Sequence, residues 1–360
     1  MNNLLKINER HIGDGYPVYI VAEMSANHNR DFSQAVRIIE SAKEAGVDAI
    51  KIQTFTPDTM TIDVQNDFFK IKNTIWNGKH LYDLYKEAST PWDWQPKLKE
   101  IANKVGLDFF STPFDPSAVD FLETLKVPAY KVASFELVDF PLLRRIAKTG
   151  KPAIMSTGMA SLSDIIEALQ VFKEAGGKQI ALLKCTSAYP APPEEMNLRT
   201  IPDLAKIFDL PVGLSDHSIG IETTVAAVAL GACIVEKHFT LSRNLQGPDS
   251  SFSTEPEELK TLVKAIRHVE KALGSVCFGT TEQEKLSLVF RRSLFVVKDI
   301  EANAEFTAQN VRSIRPGYGL HTRHIEEVIG CKARTYIPKG SPLHWDMIAP
   351  RKLDDSERLS

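Results

Sequence analysis

The chain has 360 residues, 43% of them hydrophobic, and a formal net charge of −3. That length allows one large core plus a small extra domain, and the near balance of charge leaves no electrostatic ground for nucleic acid or an anionic membrane as partner. The longest apolar stretch, Val225 to Val235, is far short of the ~20 residues that span a bilayer. Cys185, Cys233, Cys277 and Cys331 are widely separated, with no CxxC pair. They are expected to be reduced thiols rather than a disulfide framework or a thiolate zinc site. The opening MNNLLKINERH has no signal-peptide core, so the expectation is a cytoplasmic protein.

Eight short apolar runs come next in chain order, and almost every one stops at polar groups. Val18–Ala22 ends on Glu23, and Val47–Ile52 carries Lys51 and Gln53. Leu107–Phe110 ends on Ser111 and Thr112, and Ala129–Ala133 carries Lys131 and leads to Ser134 and Glu136. Ala153–Met155 ends on Ser156 and Thr157; Ile180–Leu183 ends on Lys184, Thr186 and Ser187. Val212–Leu214 ends on Ser215, Asp216 and His217, and Ala232–Val235 on Glu236, Lys237 and His238. Continuous apolar runs fit strands buried on both faces. Between them lie capped amphipathic stretches such as DFSQAVRIIESAKEAG, opened by Asp31 and stopped by Gly46. Eight such units predict a (β/α)8 TIM barrel, whose active site forms at the C-terminal strand ends.

The connection Thr54–Pro91 breaks this rhythm, and loops of such length are usually lids or binding loops. It gathers Phe68, Phe69, Trp76, Tyr82 and Tyr85, with Trp92 and Trp94 just beyond. Two readings stand, a cover for a ligand with apolar patches such as a sugar, or a satellite core beneath the loop. After Leu288 the pattern changes to SLFVVKDI, VRSIRPGYGL, VIGCKARTYIPKG and PLHWDMI, which predict short strands with Gly and Pro turns. The expected organisation is a barrel over 1–279, a linker over 280–287, a small β-rich domain over 288–350 and a frayed polar tail over 351–360. Gly317-x-Gly319 lacks the third glycine and the strand–helix setting of a dinucleotide fingerprint.

His217 and His238 end neighbouring strands about 4.8 Å apart, where two imidazoles can share a cation. A lone histidine is more often an ordinary polar residue, but a matched pair favours a metal. With carboxylate, water and substrate oxygens, as from the nearby Glu23, the pair suits octahedral Mn2+ or Mg2+, with His/carboxylate zinc still open. Asp249, in GPDSSFS, is a further sugar or metal contact. Lys51 and Lys131 face Ser134, Ser156, Ser187 and Ser215 around the rim. That set suits a small polyanion carrying carboxylate and phosphate. A Schiff-base lysine and structural pairing with Glu23, Glu136 or Glu236 remain the alternatives.

The ordered motifs AEMSANHN, IKIQTF, STPFD, KVASFE, MSTGM, CTSAYP, LSDHS, EKHFT and GPD resemble the sialic-acid synthases, which condense phosphoenolpyruvate with an amino sugar. The resemblance runs from Val18 to Ile348, and VRSIRPGYGL…VIGCKA…IPKG is similar to the antifreeze-like (SAF) domain that follows such barrels. Ser25 within AEMSANHN and Arg30 directly after it, with NTIWNGKHLYDLYKEASTPWDW, resemble the pseudaminic acid synthase subgroup.

The resemblance implies that His217 and His238 bind the divalent metal, and that Lys51, Thr112 and Lys131 hold the phosphoenolpyruvate carboxylate. It gives the phosphate to Lys131, Ser134, Ser156 and Ser215, with Ser187 standing where many relatives carry asparagine. Gln53, Phe114, Tyr189 and Asp249 would face the sugar, Glu23 would position or deprotonate water, and Glu136 would stand near the reacting sugar. It also implies a domain-swapped homodimer in which Arg315 reaches the partner's barrel.

Overall fold

The computed structural model describes residues 4–349; the tail 351–360 lies outside them. An N-terminal hairpin of β1 (Leu5–Ile7) and β2 (Arg10–Ile12) comes first. Eight parallel strands succeed it: β3 (Tyr19–Glu23), β4 (Ala49–Thr54), β5 (Asp108–Pro113), β6 (Tyr130–Val132), β7 (Ala153–Ser156), β8 (Ile180–Cys185), β9 (Val212–Asp216) and β10 (Ile234–His238). They close into a barrel in which β10 pairs with β3. Each coincides with one of the eight apolar runs.

Alternation along the strands creates two apolar regions. Ile20, Ala22, Ile50 and Ile52 point outward and pack with helix residues such as Ile38, Ile39, Leu98 and Leu262. Tyr19, Val21, Ala49, Phe110, Ile154 and Leu183 point inward, where Leu5, Ile7 and Ile12 of the hairpin join them. The hairpin therefore plugs the N-terminal mouth, where Asn8 donates to Asp108 (2.5 Å) and the Lys6 amide to Gln179 (2.8 Å). Sequence patterning alone did not reveal this plug. The helix Phe32–Ala45 illustrates the punctuation: the Asp31 carboxylate accepts from Ser33 and Gln34 amides, and Gly46 ends it at φ 90°.

The chain divides after Gly274 into two compact units. In the second, β11 (Ser293–Val296) and β12 (Val311–Ile314) pair antiparallel over Leu294, Val296, Phe306, Val311, Ile337 and Leu343. The strands expected in VIGCKARTYIPKG and PLHWDMI are instead isolated bridges such as Ile300–Ile337 and Phe295–Pro342. Pro338 and Pro342 lack the amide that a continuing ladder needs, and short helical turns occupy Ile325–Val328 and Trp345–Met347. No helix among the described residues is long and apolar enough to cross a membrane.

Candidate active site

The strand register assembles the site. Glu23 lies opposite Lys51 on one side and His238 on the other. Gln53 lies opposite Thr112, and Ser215 opposite both Glu236 and Cys185. Glu23, Lys51, Gln53, Thr112, Lys131, Ser134, Ser156, Tyr189, Ser215, His217 and His238 line one cavity with Cys185 and Glu236. Its volume of about 50 Å³ holds a few waters and falls far below the roughly 300–1,000 Å³ of small-molecule pockets.

The two lysines differ. Lys51 Nζ stands 2.7 Å from Glu23 Oε2 and 3.6 Å from Glu236 Oε1, and donates to Thr112 Oγ1 at 2.9 Å. Burial acts to lower its pKa, yet the two carboxylates outweigh burial and raise it. Lys131, 2% exposed, donates to Ser156 Oγ (2.5 Å) and Val132 O (2.9 Å). No carboxylate among the described residues forms an ion pair with it, and burial lowers its pKa. A buried ammonium whose hydrogen bonds go to neutral oxygens has the chemistry to accept an anion.

The acids are tuned as well. Burial, against the pull of Lys51, pushes Glu23 up to about 7, while Gln53 donates to its Oε1 at 3.1 Å. Burial acts to raise Glu236 too, but Lys131 and Lys51 hold it low and ionised. Glu136, in the turn Phe135–Val138, is pushed by burial up to about 7, and its Oε2 has no partner. Sequence reasoning gives Cys185 no site role and Glu236 only structural pairing with the lysines, which Lys51 makes at 3.6 Å. The signal for them was strand alternation, since Glu236 shares the face of His238, two residues on.

The His217 and His238 ring centroids are 5.3 Å apart. His217 Nδ1 is 2.9 Å from Thr186 O; a carbonyl only accepts, so that nitrogen carries a proton. Burial acts to lower the His217 pKa, but Cys185, Thr186 O and Glu236 outweigh it and raise it. His238 is held neutral by burial and by positive neighbours, and its buried Nδ1 has no hydrogen-bond partner. His238, neutral and with an unpaired buried nitrogen, and His217, once Nε2 gives up its proton, fit a divalent cation. No group of three or more His, Cys, Asp or Glu among the described residues converges for this purpose. Glu23 is engaged with Lys51 instead, so the protein's share would be the two imidazoles.

Other expected residues are dispersed. Asp249 accepts from Ser25 Oγ (2.5 Å) and lies 4.0 Å from His238 Nδ1. Phe114 packs edge-on against Phe55, outside the cavity lining. Ser187 Oγ is 3.8 Å from Cys185 Sγ, and it crowds Gly158, where an added Cβ would stand 2.2 Å from it. Gly158 N–H donates to Ser134 Oγ at 3.1 Å. Arg315 is exposed in the second unit. Within AEMSANHN, Asn27 donates to Phe239 O and Ser253 Oγ, and His28 Nε2 meets Thr90 Oγ1 at 3.1 Å, so both act as rivets below the rim.

The aromatic loop divides into two parts. Trp92 stacks on Phe121 and Trp94 packs edge-on against His28 and Phe32, which makes a satellite core. Trp76 instead crosses the rim, donates from Nε1 to Pro248 O at 2.9 Å and leans on Tyr189, which covers His217 at 4.3 Å.

Comparison with known proteins agrees with this architecture. Residues 38–277 match the NeuB family and residues 291–349 match the SAF domain. A pseudaminic acid synthase of Campylobacter jejuni subsp. jejuni serotype O:23/36 is 43% identical over 91% of this chain and 95% of its own length. A pseudaminic acid synthase of Helicobacter pylori is 42% identical over 92% of this chain and 98% of its own. The crystal structure of an N-acetylneuraminic acid synthetase from Leptospira borgpetersenii, in complex with citrate, superposes with a TM-score of 0.72 at 34% identity, covering 80% of this chain and 96% of that one. This chain belongs to the NeuB family and carries a SAF domain after its barrel.

Proposed function

We propose that this chain is a pseudaminic acid synthase, condensing phosphoenolpyruvate with 2,4-diacetamido-2,4,6-trideoxy-L-altrose and water to give pseudaminic acid and phosphate. The observation that carries the chemistry is Lys131, a buried cation whose partners are Ser156 Oγ and a carbonyl. The identity of over 40% to pseudaminic acid synthases along nearly the whole chain supports the sugar.

In this reading Lys131, Ser134, Ser156 and Ser215 hold the phosphate, and Lys51 with Thr112 takes the carboxylate. A divalent ion, Mn2+ or Mg2+, held by His217 and His238 supplies Lewis-acid polarisation of the sugar aldehyde. C3 of phosphoenolpyruvate attacks the aldehyde carbon, and positive character develops at C2, where the anionic end held by the lysines is close by. Glu23, whose pKa of about 7 suits proton transfer near neutrality, takes a proton from the water that adds at C2. The tetrahedral adduct then expels phosphate by C–O cleavage and leaves a nine-carbon 2-keto acid. Glu136 would deliver the proton that the new alkoxide needs.

The test is phosphate release from phosphoenolpyruvate against a panel of amino sugars, with and without EDTA. The diacetamido sugar should lead N-acetylmannosamine by a wide margin in kcat/KM, and EDTA should abolish turnover until Mn2+ or Mg2+ is restored. Comparable rates on N-acetylmannosamine would move the assignment to neuraminate synthesis, and a lead for a legionaminate precursor would move it there. The exposed Arg315, on an Arg-Pro-Gly turn, would complete the sugar site of a second copy in a homodimer. Arg315→Ala chains mixed with His217→Ala chains should then regain activity; mixed dimers without activity would refute that role.

A further inference from the structure

Directly behind the two histidines, on the outer face of the same strands, lies a buried ion pair. Asp216 Oδ2 is 2.8 Å from Lys237 Nζ, with the side chains 0% and 3% exposed. Asp216 Oδ1 accepts from the Ser218 amide (2.8 Å) and hydroxyl (2.7 Å), and Oδ2 also accepts from the Thr224 hydroxyl on the helix Glu222–Ala229. Lys237 donates a second bond to Ser218 O at 2.7 Å. Every polar atom of the pair is thus engaged within a few residues of the metal-site candidates.

The position is what gives the pair meaning. Lys237 and Asp216 are the last register partners of the β9–β10 ladder. β9 ends at Asp216, so His217 stands one residue beyond the ladder, where its carbonyl accepts from the Ala191 amide at 3.0 Å. The side-chain pair continues the clamp where the backbone ladder stops. Alternation sends Asp216 and Lys237 outward and His217 and His238 inward, so each charged residue is the immediate chain neighbour of one imidazole. A buried pair is a poor stabiliser, because desolvation of two charges offsets their attraction and apolar side chains of similar size serve as well. Fixing geometry is its better-attested use.

We propose that Asp216 and Lys237 are positioning residues, which with Ser218 and Thr224 hold the ends of β9 and β10 so that His217 and His238 stand at the spacing one divalent cation requires. The inference rests on the metal reading above. A site with only two protein ligands depends strongly on their being set in advance, and groups that support metal ligands are typically worth 10–100-fold in affinity.

The experiment is a titration of the full-length protein with Mn2+, following the free ion by electron paramagnetic resonance. Asp216→Asn/Lys237→Met, which removes both charges together, should weaken Mn2+ binding about 10-fold or more, while phosphoenolpyruvate binding without metal stays unchanged. Thr224→Val, which removes one hydrogen bond from Asp216, should weaken Mn2+ in the same direction by a few-fold. A purely structural role predicts a lower Tm with Mn2+ affinity unchanged, and that result in either variant overturns the proposal. If the double variant does not fold, Thr224→Val decides. His217→Ala separates the two ideas: loss of Mn2+ binding there with retention in the Asp216 and Thr224 variants refutes positioning alone, whereas retention in His217→Ala refutes the metal site itself.

Discussion

Two layers of the barrel interior, one rung apart, obey opposite rules. In the lower layer Tyr19, Val21, Phe110, Ile154 and Leu183 pack with the hairpin residues Leu5, Ile7 and Ile12. In the upper layer Glu23, Lys51, Lys131, Glu236, His217 and His238 crowd a cavity that is just as closed. Apolar burial below is favourable at roughly 25 cal/mol per Å², whereas buried charge above is tolerated only where paired or hydrogen-bonded. The comparison teaches that the chemistry stands on stability supplied from beneath it. The hairpin matters here because it closes the lower mouth, so that water reaches the strands from the catalytic end.

The largest expected effect comes from changing each layer in turn at register partners, Lys131 on β6 and Ile154 on β7. Lys131→Met should cut kcat/KM for phosphoenolpyruvate by at least ten- to a hundred-fold, since charge-assisted hydrogen bonds are worth roughly 1.5–3 kcal/mol each. Its Tm should fall by less than that of Ile154→Ala, because Lys131 forms no ion pair among the described residues, although it helps to hold Glu236 ionised. Ile154→Ala should do the reverse, costing about 2–5 kcal/mol of stability with turnover per folded molecule retained. Thermal melts and steady-state kinetics on both variants check this. If Lys131→Met proves as destabilising as Ile154→Ala, the contrast between the layers is wrong.

A smaller effect sharpens the same contrast through pH. The Glu136 pKa is raised from 4.5 to about 7, so between those values the folded protein binds more protons than the unfolded chain. Stability supplied by this group is therefore fully present below pH 4.5 and lost as pH rises through about 7. Glu136→Gln has no such loss. It should match the wild type at low pH and exceed it above pH 7 by about 1–3 kcal/mol, while turnover falls. Denaturant melts at pH 4 and 8 read the difference, and an offset that does not change with pH would show that Glu136 titrates normally.

The sequence made one layer far more legible than the other. Eight strands could be counted because doubly buried strands carry almost no polar residues, and the rim announced itself where each run stopped. Which rim groups pair was not legible. Lys51 and Lys131 look alike in the chain, and only the register that closes the barrel sets Lys51 between Glu23 and Glu236 while leaving Lys131 to Ser156. The hairpin escaped because its strands are three residues long and carry Lys6, Arg10 and His11. Phe114 lies two residues beyond the rim residue Thr112, yet it turns to Phe55, because β5 ends at Pro113 and strand alternation stops with it.

The smallest effect concerns the cover over the upper layer. With about 50 Å³ inside, the cavity must enlarge to admit a sugar, and the side chains above the histidines are Tyr189 and, leaning on it, Trp76. Residues 61–79 are mostly exposed, with Phe68 at 93%, so few contacts oppose the lifting of this segment. The Trp76 Nε1 bond to Pro248 O ties it across the rim to the loop after β10. Trp76→Phe keeps an aromatic ring beside Tyr189 and deletes that bond, which is worth about 0.5–1.5 kcal/mol. The sugar KM should rise two- to ten-fold with the phosphoenolpyruvate KM unmoved, since the proposed anion site lies beneath on β6 and β7. Trp76→Ala, which also removes the ring, should raise the sugar KM further and narrow the preference for the 6-deoxy diacetamido sugar. Steady-state kinetics with the sugar and phosphoenolpyruvate varied separately make the measurement. Wild-type sugar kinetics in Trp76→Ala would mean that this tryptophan, like Trp92 and Trp94, only packs the loop, and that the upper layer is closed by Tyr189 alone.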